Sequence, residues 1–257
     1  MGHVIAVVNN KGGVGKTTIA FNLAHALGTR GQTVLLADLD NQCNLTSNFF
    51  PMPPESTLYE ILDGDGIPPN KCIYPTPYDK VWVLPNTEDT GPLEPVLLER
   101  PDKGYPLLAD RLRPHVVERF DVTFLDCPPN LGLFSLQAMA AADFVLCPVA
   151  GGSRYATAGL DKTIRTIQFV QAEINPNLRF LRLALNQVDK RESVDKAFLA
   201  GIYEDYAGLV FDTIIPRCTA VKRSEATRES VLRGSPGSTA AASFRKLSLE
   251  LTGILKG

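Results

Sequence analysis

The sequence predicts an α/β fold, a mostly parallel twisted sheet with helices on both faces, and three observations predict it. Short apolar runs of strand length alternate with stretches of helical spacing, as expected of strands covered on both sides. The first run passes through a glycine-rich turn into a helical stretch. Acidic residues close the second run and a later one, at the strand ends where open parallel sheets bind ligands. The chain has 257 residues and is read as a single domain over 1–257.

The elements follow in order. His3–Asn9 is an apolar run ending in the glycine turn. From Lys16 to Thr29, residues Ile19, Ala20, Leu23, Ala24 and Leu27 share one helical face. Thr33–Ala37 is the next strand, and Gly28 and Gly31 serve the turn before it. Pro51–Pro106 is proline-rich, with a helix near Thr57–Leu62 and a strand at Val81–Leu84, and reads as long surface connections. Alternation then resumes: helix Leu107–Arg119, strand Val122–Leu125, helix Leu133–Ala142, strand Phe144–Pro148 and helix Ala156–Ile174. Strand Leu178–Leu185, helix Val194–Tyr206 and strand Val210–Ile215 precede two helices near Thr219–Leu232 and Ser238–Leu255.

Composition narrows the function classes. A net charge of −2 with 21% charged residues excludes a wholly basic nucleic-acid binder and a disordered chain. The charge is uneven: Pro216–Gly257 carries eight cations against three acids, a local +5, which leaves −7 for the first 215 residues. The five cysteines are scattered without a CxxC pair, so a reducing, cytoplasmic setting fits better than a disulfide or zinc framework. No apolar run approaches the roughly 20 residues of a membrane span.

The decisive segment is Asn10-Lys11-Gly12-Gly13-Val14-Gly15-Lys16-Thr17-Thr18. Backbone N–H groups freed by its glycines can wrap phosphate oxygens, and the helix that follows adds its positive end. Lys16 is placed to reach the β- and γ-phosphates and the Thr17 hydroxyl to hold Mg²⁺. Asn10 stands at the first glycine of the strict P-loop pattern, and Lys11 is a second lysine within the loop. On these residues the chain resembles the ParA/MinD family of deviant Walker A ATPases, closest to the ParA/Soj-like partition ATPases. The resemblance runs from Val4 to the last helix.

It implies the following. ATP and Mg²⁺ are the ligands, bound by Lys11, Gly12, Gly13, Val14, Gly15, Lys16, Thr17 and Thr18. Lys11 crosses the interface of an ATP-sandwich homodimer to touch the partner's nucleotide. Leu35-Leu36-Ala37-Asp38-Leu39-Asp40-Asn41-Gln42 looks like the family's first switch: Asp40 orients the attacking water and Asp38 supports the magnesium shell, with Asn41 in place of the usual proline. Asp38 and Asp40 acting only as turn formers is the plain alternative. Val122–Pro129 has the Walker B form, an apolar strand ending in an acid, so Asp126 meets magnesium through water. Cys127 reads as a small buried filler.

Asn186 and Pro216 match family positions against the adenine, although Asn186 also suits an ordinary turn. Lys222, Arg223, Arg228, Arg245 and Lys246 supply the C-terminal charge excess. A solvated helical face accounts for them on charge alone, whereas the resemblance implies non-specific contacts with DNA phosphates. The chain is therefore expected to be a cytoplasmic, nucleoid-associated ATPase that positions cargo with a ParB-like or other adaptor stimulating hydrolysis.

Three other classes share such a loop. A MinD-like membrane-cycling ATPase needs an amphipathic C-terminal helix, and Phe244, Leu247, Leu251, Ile254 and Leu255 do form a stripe, of a kind more often core. An iron–sulfur carrier lacks suitably spaced cysteines, and a non-hydrolysing scaffold conflicts with the presence of Asp40. Nothing resembling a helix-turn-helix precedes the first strand, so operator binding is not expected.

Overall fold

The computed structural model describes residues 1–63, 67–100, 104–152 and 156–257. Its strands are β1 (His3–Val7), β2 (Val34–Asp38), β3 (Tyr74–Pro75), β4 (Val81–Leu84), β5 (Val122–Asp126), β6 (Phe144–Ala150) and β7 (Arg179–Asn186). The helices are α1 (Lys16–Gly28), α2 (Leu58–Asp63), α3 (Leu93–Leu98), α4 (Leu107–Arg111), α5 (Arg113–Arg119), α6 (Leu133–Ala141), α7 (Ala156–Glu173), α8 (Ser193–Asp205), α9 (Thr219–Thr227), α10 (Val231–Gly234) and α11 (Thr239–Lys256).

The strands form one sheet in the order β3-β4-β2-β5-β1-β6-β7, parallel except for the short β3 at its edge. This is the α/β architecture that the alternation predicts. Successive β1 residues point to opposite faces, as strand geometry requires. Val4, Ala6 and Val8 enter one core with α2 to α6, while Ile5 and Val7 enter another with α1 and α11. A third cluster joins β6 and β7 to α8. Parallel register sets Asp38 opposite Asp126 and Val7 opposite Asp126, so the glycine turn and both acids meet at one sheet edge.

Several expectations are corrected. The predicted helix Leu107–Arg119 is two helices that break at Leu112, because Pro114 lacks the N–H that a continuous helix would use. The predicted strand Val210–Ile215 is not a strand. Phe211 and Ile215 donate to β7 carbonyls at 3.0 and 2.9 Å, but between them the N–H groups of Asp212 and Thr213 turn to the Glu250 carboxylate on α11. Only isolated bridges remain, Leu183 with Val210 and Val188 with Pro216. The predicted helix Thr219–Leu232 stops at Thr227, where Arg228 takes a left-handed φ of 56°, and restarts as α10 behind a Ser230 cap. The proline-rich region is more than surface connection, since Leu58, Ile61, Leu93 and Leu97 are buried in the first core. There the Thr57 N–H and hydroxyl both donate to the Glu60 carboxylate, and the Thr57 hydroxyl oxygen accepts from the Tyr59 N–H at 3.2 Å, which caps the start of α2.

Candidate active site

The glycine loop is built from both ends. Asn9, buried just past β1, donates to the Pro148 carbonyl at 2.7 Å and accepts from the Lys11 N–H at 2.9 Å, tying the loop's start to β6. Gly13 and Gly15 have φ of +73° and +89°, a region that side chains disfavour. Close packing adds a second requirement, because a Cβ on Gly15 would sit 2.1 Å from the Asn186 amide nitrogen. Asn186 donates to the Val14 carbonyl at 2.9 Å and Gln187 to the Gly13 carbonyl at 3.1 Å. The end of β7 thus props the loop from behind.

Lys16 opens α1 and is almost fully buried. Among the described residues its ammonium donates to the Asn9 and Lys11 carbonyls alone, each at 3.3 Å. Burial lowers its pKa, against the attraction of Asp126. The Lys11 ammonium makes no hydrogen bond or ion pair among the described residues.

The three acids differ in environment. Asp126 is buried with neither carboxylate oxygen hydrogen-bonded. Burial, and then the charge of Asp38, push its pKa up to about 8, outweighing the nearby Thr17 hydroxyl and Lys16 ammonium. Asp38 is also buried, but its oxygens are engaged: one accepts from the Thr46 N–H and hydroxyl at 2.8 and 2.7 Å, the other from the Asp40 N–H at 3.1 Å. Burial raises it to about 6 despite those bonds. Asp40 begins a turn closed by Cys43 N–H to the Asp40 carbonyl at 2.9 Å, with its side chain accepting from Gln42 N–H at 3.1 Å.

A cavity of about 460 Å³ lies over the loop, lined by Gly12, Gly13, Gly15, Lys16, Thr17 and Thr18, with Asp40 and Gln187 beside them. Its far wall includes Glu225, which accepts from the Thr18 hydroxyl at 2.9 Å, and Arg228. Asn186 and Pro216 are not among its lining residues: Asn186 faces the back of the loop and Pro216 bridges to Val188. Lys222, Arg223, Arg245 and Lys246 are exposed on α9 and α11, while Arg228 stands at the end of α9 on the cavity's rim. The stripe Phe244, Leu247 and Leu251 is buried against α1, with Ile254 and Leu255 packed on the same core. Among the described residues no helix is long and apolar enough to cross a membrane.

The donor set fits a hydrated hard cation beside a polyphosphate. Asp126 offers two unpartnered buried oxygens next to Thr17, and among the described residues no group of three His, Cys, Asp or Glu could enclose a metal. A cation held there would complete its shell with phosphate oxygens and water, as Mg²⁺ commonly does. Asn9, Glu225 and Gln187 escaped the sequence reading as site residues. Asn9 alone had a signal, a polar residue closing an apolar strand at the turn.

A loop of this shape between a buried strand and its helix, with acids on the adjoining strand ends, defines a P-loop nucleotide-binding protein. The profile of the AAA domain family matches residues 2–180. The chromosome partitioning protein ParA of Myxococcus xanthus is 33% identical over 253 residues, covering 98% of this chain and 88% of that one. The chromosome-partitioning ATPase Soj of Thermus thermophilus is 34% identical over 247 residues, covering 96% and 94%. Among solved structures, cobyrinic acid a,c-diamide synthase from Mycobacterium smegmatis with bound ADP and magnesium superposes with a TM-score of 0.85 at 31% identity, over 100% of this chain and 96% of that one. The chain belongs to the ParA/Soj family of partition ATPases.

Proposed function

We propose that this chain binds ATP with magnesium in the cavity above the glycine loop and hydrolyses it, and that the ATP-bound form is a sandwich homodimer that binds DNA without sequence preference and positions a cargo. The observation that carries the reading is the buried, unpartnered Asp126 beside Thr17 and Lys16 under the loop. A carboxylate left without partners in the interior is costly unless a ligand satisfies it.

In this reading the N–H groups from Gly12 to Thr18 cradle the phosphates and Lys16 neutralises their charge. Thr17 and Asp126 hold the magnesium, with Asp38 behind them. Magnesium held there would supply positive charge to offset the charge that develops on the phosphates. Asp40, at the rim, orients the attacking water, and the Lys11 ammonium, without a partner among the described residues, is available for a partner's nucleotide. Asn186 and Pro216 are assigned to the base end by their match to family positions alone, and the Asn186 amide also supports the back of the loop. Lys222, Arg223, Arg245 and Lys246, with Arg228 nearer the cavity, form the cationic face for DNA phosphates. An adaptor of the ParB kind that stimulates hydrolysis, and a cytoplasmic, nucleoid-associated setting, complete the proposal as one domain. The membrane-cycling alternative loses its main support, because the α11 stripe it would need is packed in the core.

The test is light scattering with ATP and magnesium. Wild type should form a dimer with ATP and remain monomeric with ADP. Lys11→Ala should retain nucleotide binding and lose the dimer. A normal ATP dimer from Lys11→Ala would remove the role given to that lysine.

A further inference from the structure

Asp38 and Asp126 end β2 and β5, Asp40 sits on the loop leaving β2, and one segment outside the loops that leave these strands touches both loops. That segment is Asn86–Leu98, a turn followed by α3. At its start the Asn86 N–H donates to the Thr46 hydroxyl at 2.9 Å, and that hydroxyl donates to Asp38 at 2.7 Å. The Thr90 hydroxyl donates to the Asn86 side-chain oxygen. Asp38, Thr46, Asn86 and Thr90 are each at most 1% exposed, so this is a buried polar chain running outward from the site. Next comes Gly91, where an added Cβ would stand 2.6 Å from the Asn41 amide nitrogen, so Asn41, the neighbour of Asp40, rests directly on it. Finally Glu94 accepts from the Leu133 N–H at 2.8 Å, capping α6 at the exit of the loop that begins with Asp126.

We propose that Asn86–Leu98 is the positioning element of the hydrolytic site, with Gly91 and Glu94 as positioning residues that hold the Asp40 turn and the loop after Asp126 in one mutual arrangement. The proposal rests on the ATPase reading above. Asn41 occupies the second position of the Asp40–Cys43 turn, where proline is favoured for its fixed φ. With asparagine there, the turn takes its rigidity from contact with Gly91. The two loops consequently move together, since both are attached to the same short segment.

The test separates positioning from folding and from binding. Gly91→Ala pushes chiefly against the end of a short side chain, which can swing away, and meets the Glu88 carbonyl only at 3.3 Å, so the protein folds but Asn41 loses its seat. We expect kcat to fall, by up to about 10²-fold for a displacement near 1 Å, with ATP affinity unchanged. Adding Asn41→Pro to Gly91→Ala should restore most of the rate. Glu94→Ala should lower kcat in the same way, while Glu94→Gln, which keeps an acceptor oxygen, should behave as wild type. Wild-type rates in both Gly91→Ala and Glu94→Ala overturn the proposal, as does a loss that neither Asn41→Pro nor Glu94→Gln repairs. Hydrogen exchange on the wild-type chain needs no variant: a non-hydrolysable ATP analogue should protect residues 39–45, 86–98 and 127–133 together. Protection of the two loops with 86–98 unchanged also overturns it. If wild type neither binds nor hydrolyses ATP, the ATPase reading itself fails.

Discussion

Gly15→Ala tests the cradle through two separable penalties. The first is conformational: Gly15 has φ 89° and ψ 34°, and a side chain in left-handed backbone costs about 1–2 kcal/mol. The second is steric, because the new methyl would lie 2.1 Å from the Asn186 amide nitrogen. Asn186 must then leave the Val14 carbonyl. It is 1% exposed and its own side-chain oxygen already lacks a partner, so a lost bond there costs about 1–3 kcal/mol. Together these give roughly 2–5 kcal/mol against the loop's binding conformation. That corresponds to a fall in ATP affinity of roughly 30-fold to more than a thousandfold, at about 1.4 kcal/mol per decade. Titration with a fluorescent ATP analogue measures it. The double variant Gly15→Ala/Asn186→Ala removes the collision and the stranded amide but leaves the Val14 carbonyl without its donor, so it should recover only a fraction of the steric part. Wild-type affinity in Gly15→Ala, or full recovery in the double variant, would refute the reasoning.

Two further predictions concern the acids. Asp40→Ala should bind ATP with magnesium normally and hydrolyse it about 10²–10⁴-fold more slowly, measured as phosphate release in single turnovers; turnover at the wild-type rate would take Asp40 out of the chemistry. Asp126 titrates at about 8 when folded and near 3.9 when unfolded. Between those values the unfolded chain binds fewer protons than the folded one, so metal-free stability falls as pH rises from about 4 to 8. Asp126→Asn should therefore raise the melting temperature of the metal-free protein near neutral pH and flatten that pH dependence, while abolishing any stabilisation by magnesium and nucleotide. A lower melting temperature in Asp126→Asn would contradict the cost assigned to the bare carboxylate.

Local pattern made much of this readable in the sequence. The β1–loop–α1 unit and the acids ending β2 and β5 lie within short windows whose periodicity and composition point one way. What escaped depends on partners distant in the chain. Thr18 and Glu225 are 207 residues apart, Asn9 and Pro148 are 139 apart, and Glu94 caps a helix 39 residues away. No window reveals such pairs. The strand expected over Val210–Ile215 has the right apolar content, but Glu250 competes for its N–H groups from another helix. Pro114 and Arg228 were visible as residues, yet the helix breaks beside them were not read from their positions. Asn186 is expected at the base from resemblance alone, and the support its amide gives to the loop that Gly15 turns is a second contact that no sequence window shows.

In the proposed cycle, ATP creates a DNA-binding form of the protein. Exposed cations on one monomer gain little at physiological salt, whereas the proposed two-fold dimer would set two faces bearing Lys222 and Arg223 against one duplex. Fluorescence anisotropy of a random-sequence duplex, titrated with protein in ATP–magnesium, ADP–magnesium and no nucleotide over a salt series, tests this directly. Binding is predicted with ATP alone, independent of sequence and falling steeply with salt as counterions are released. Lys222→Ala with Arg223→Ala should weaken it for every sequence and reduce the salt slope without changing ATP affinity. Equal binding in all three nucleotide states, or no binding at low salt with ATP, would contradict the account.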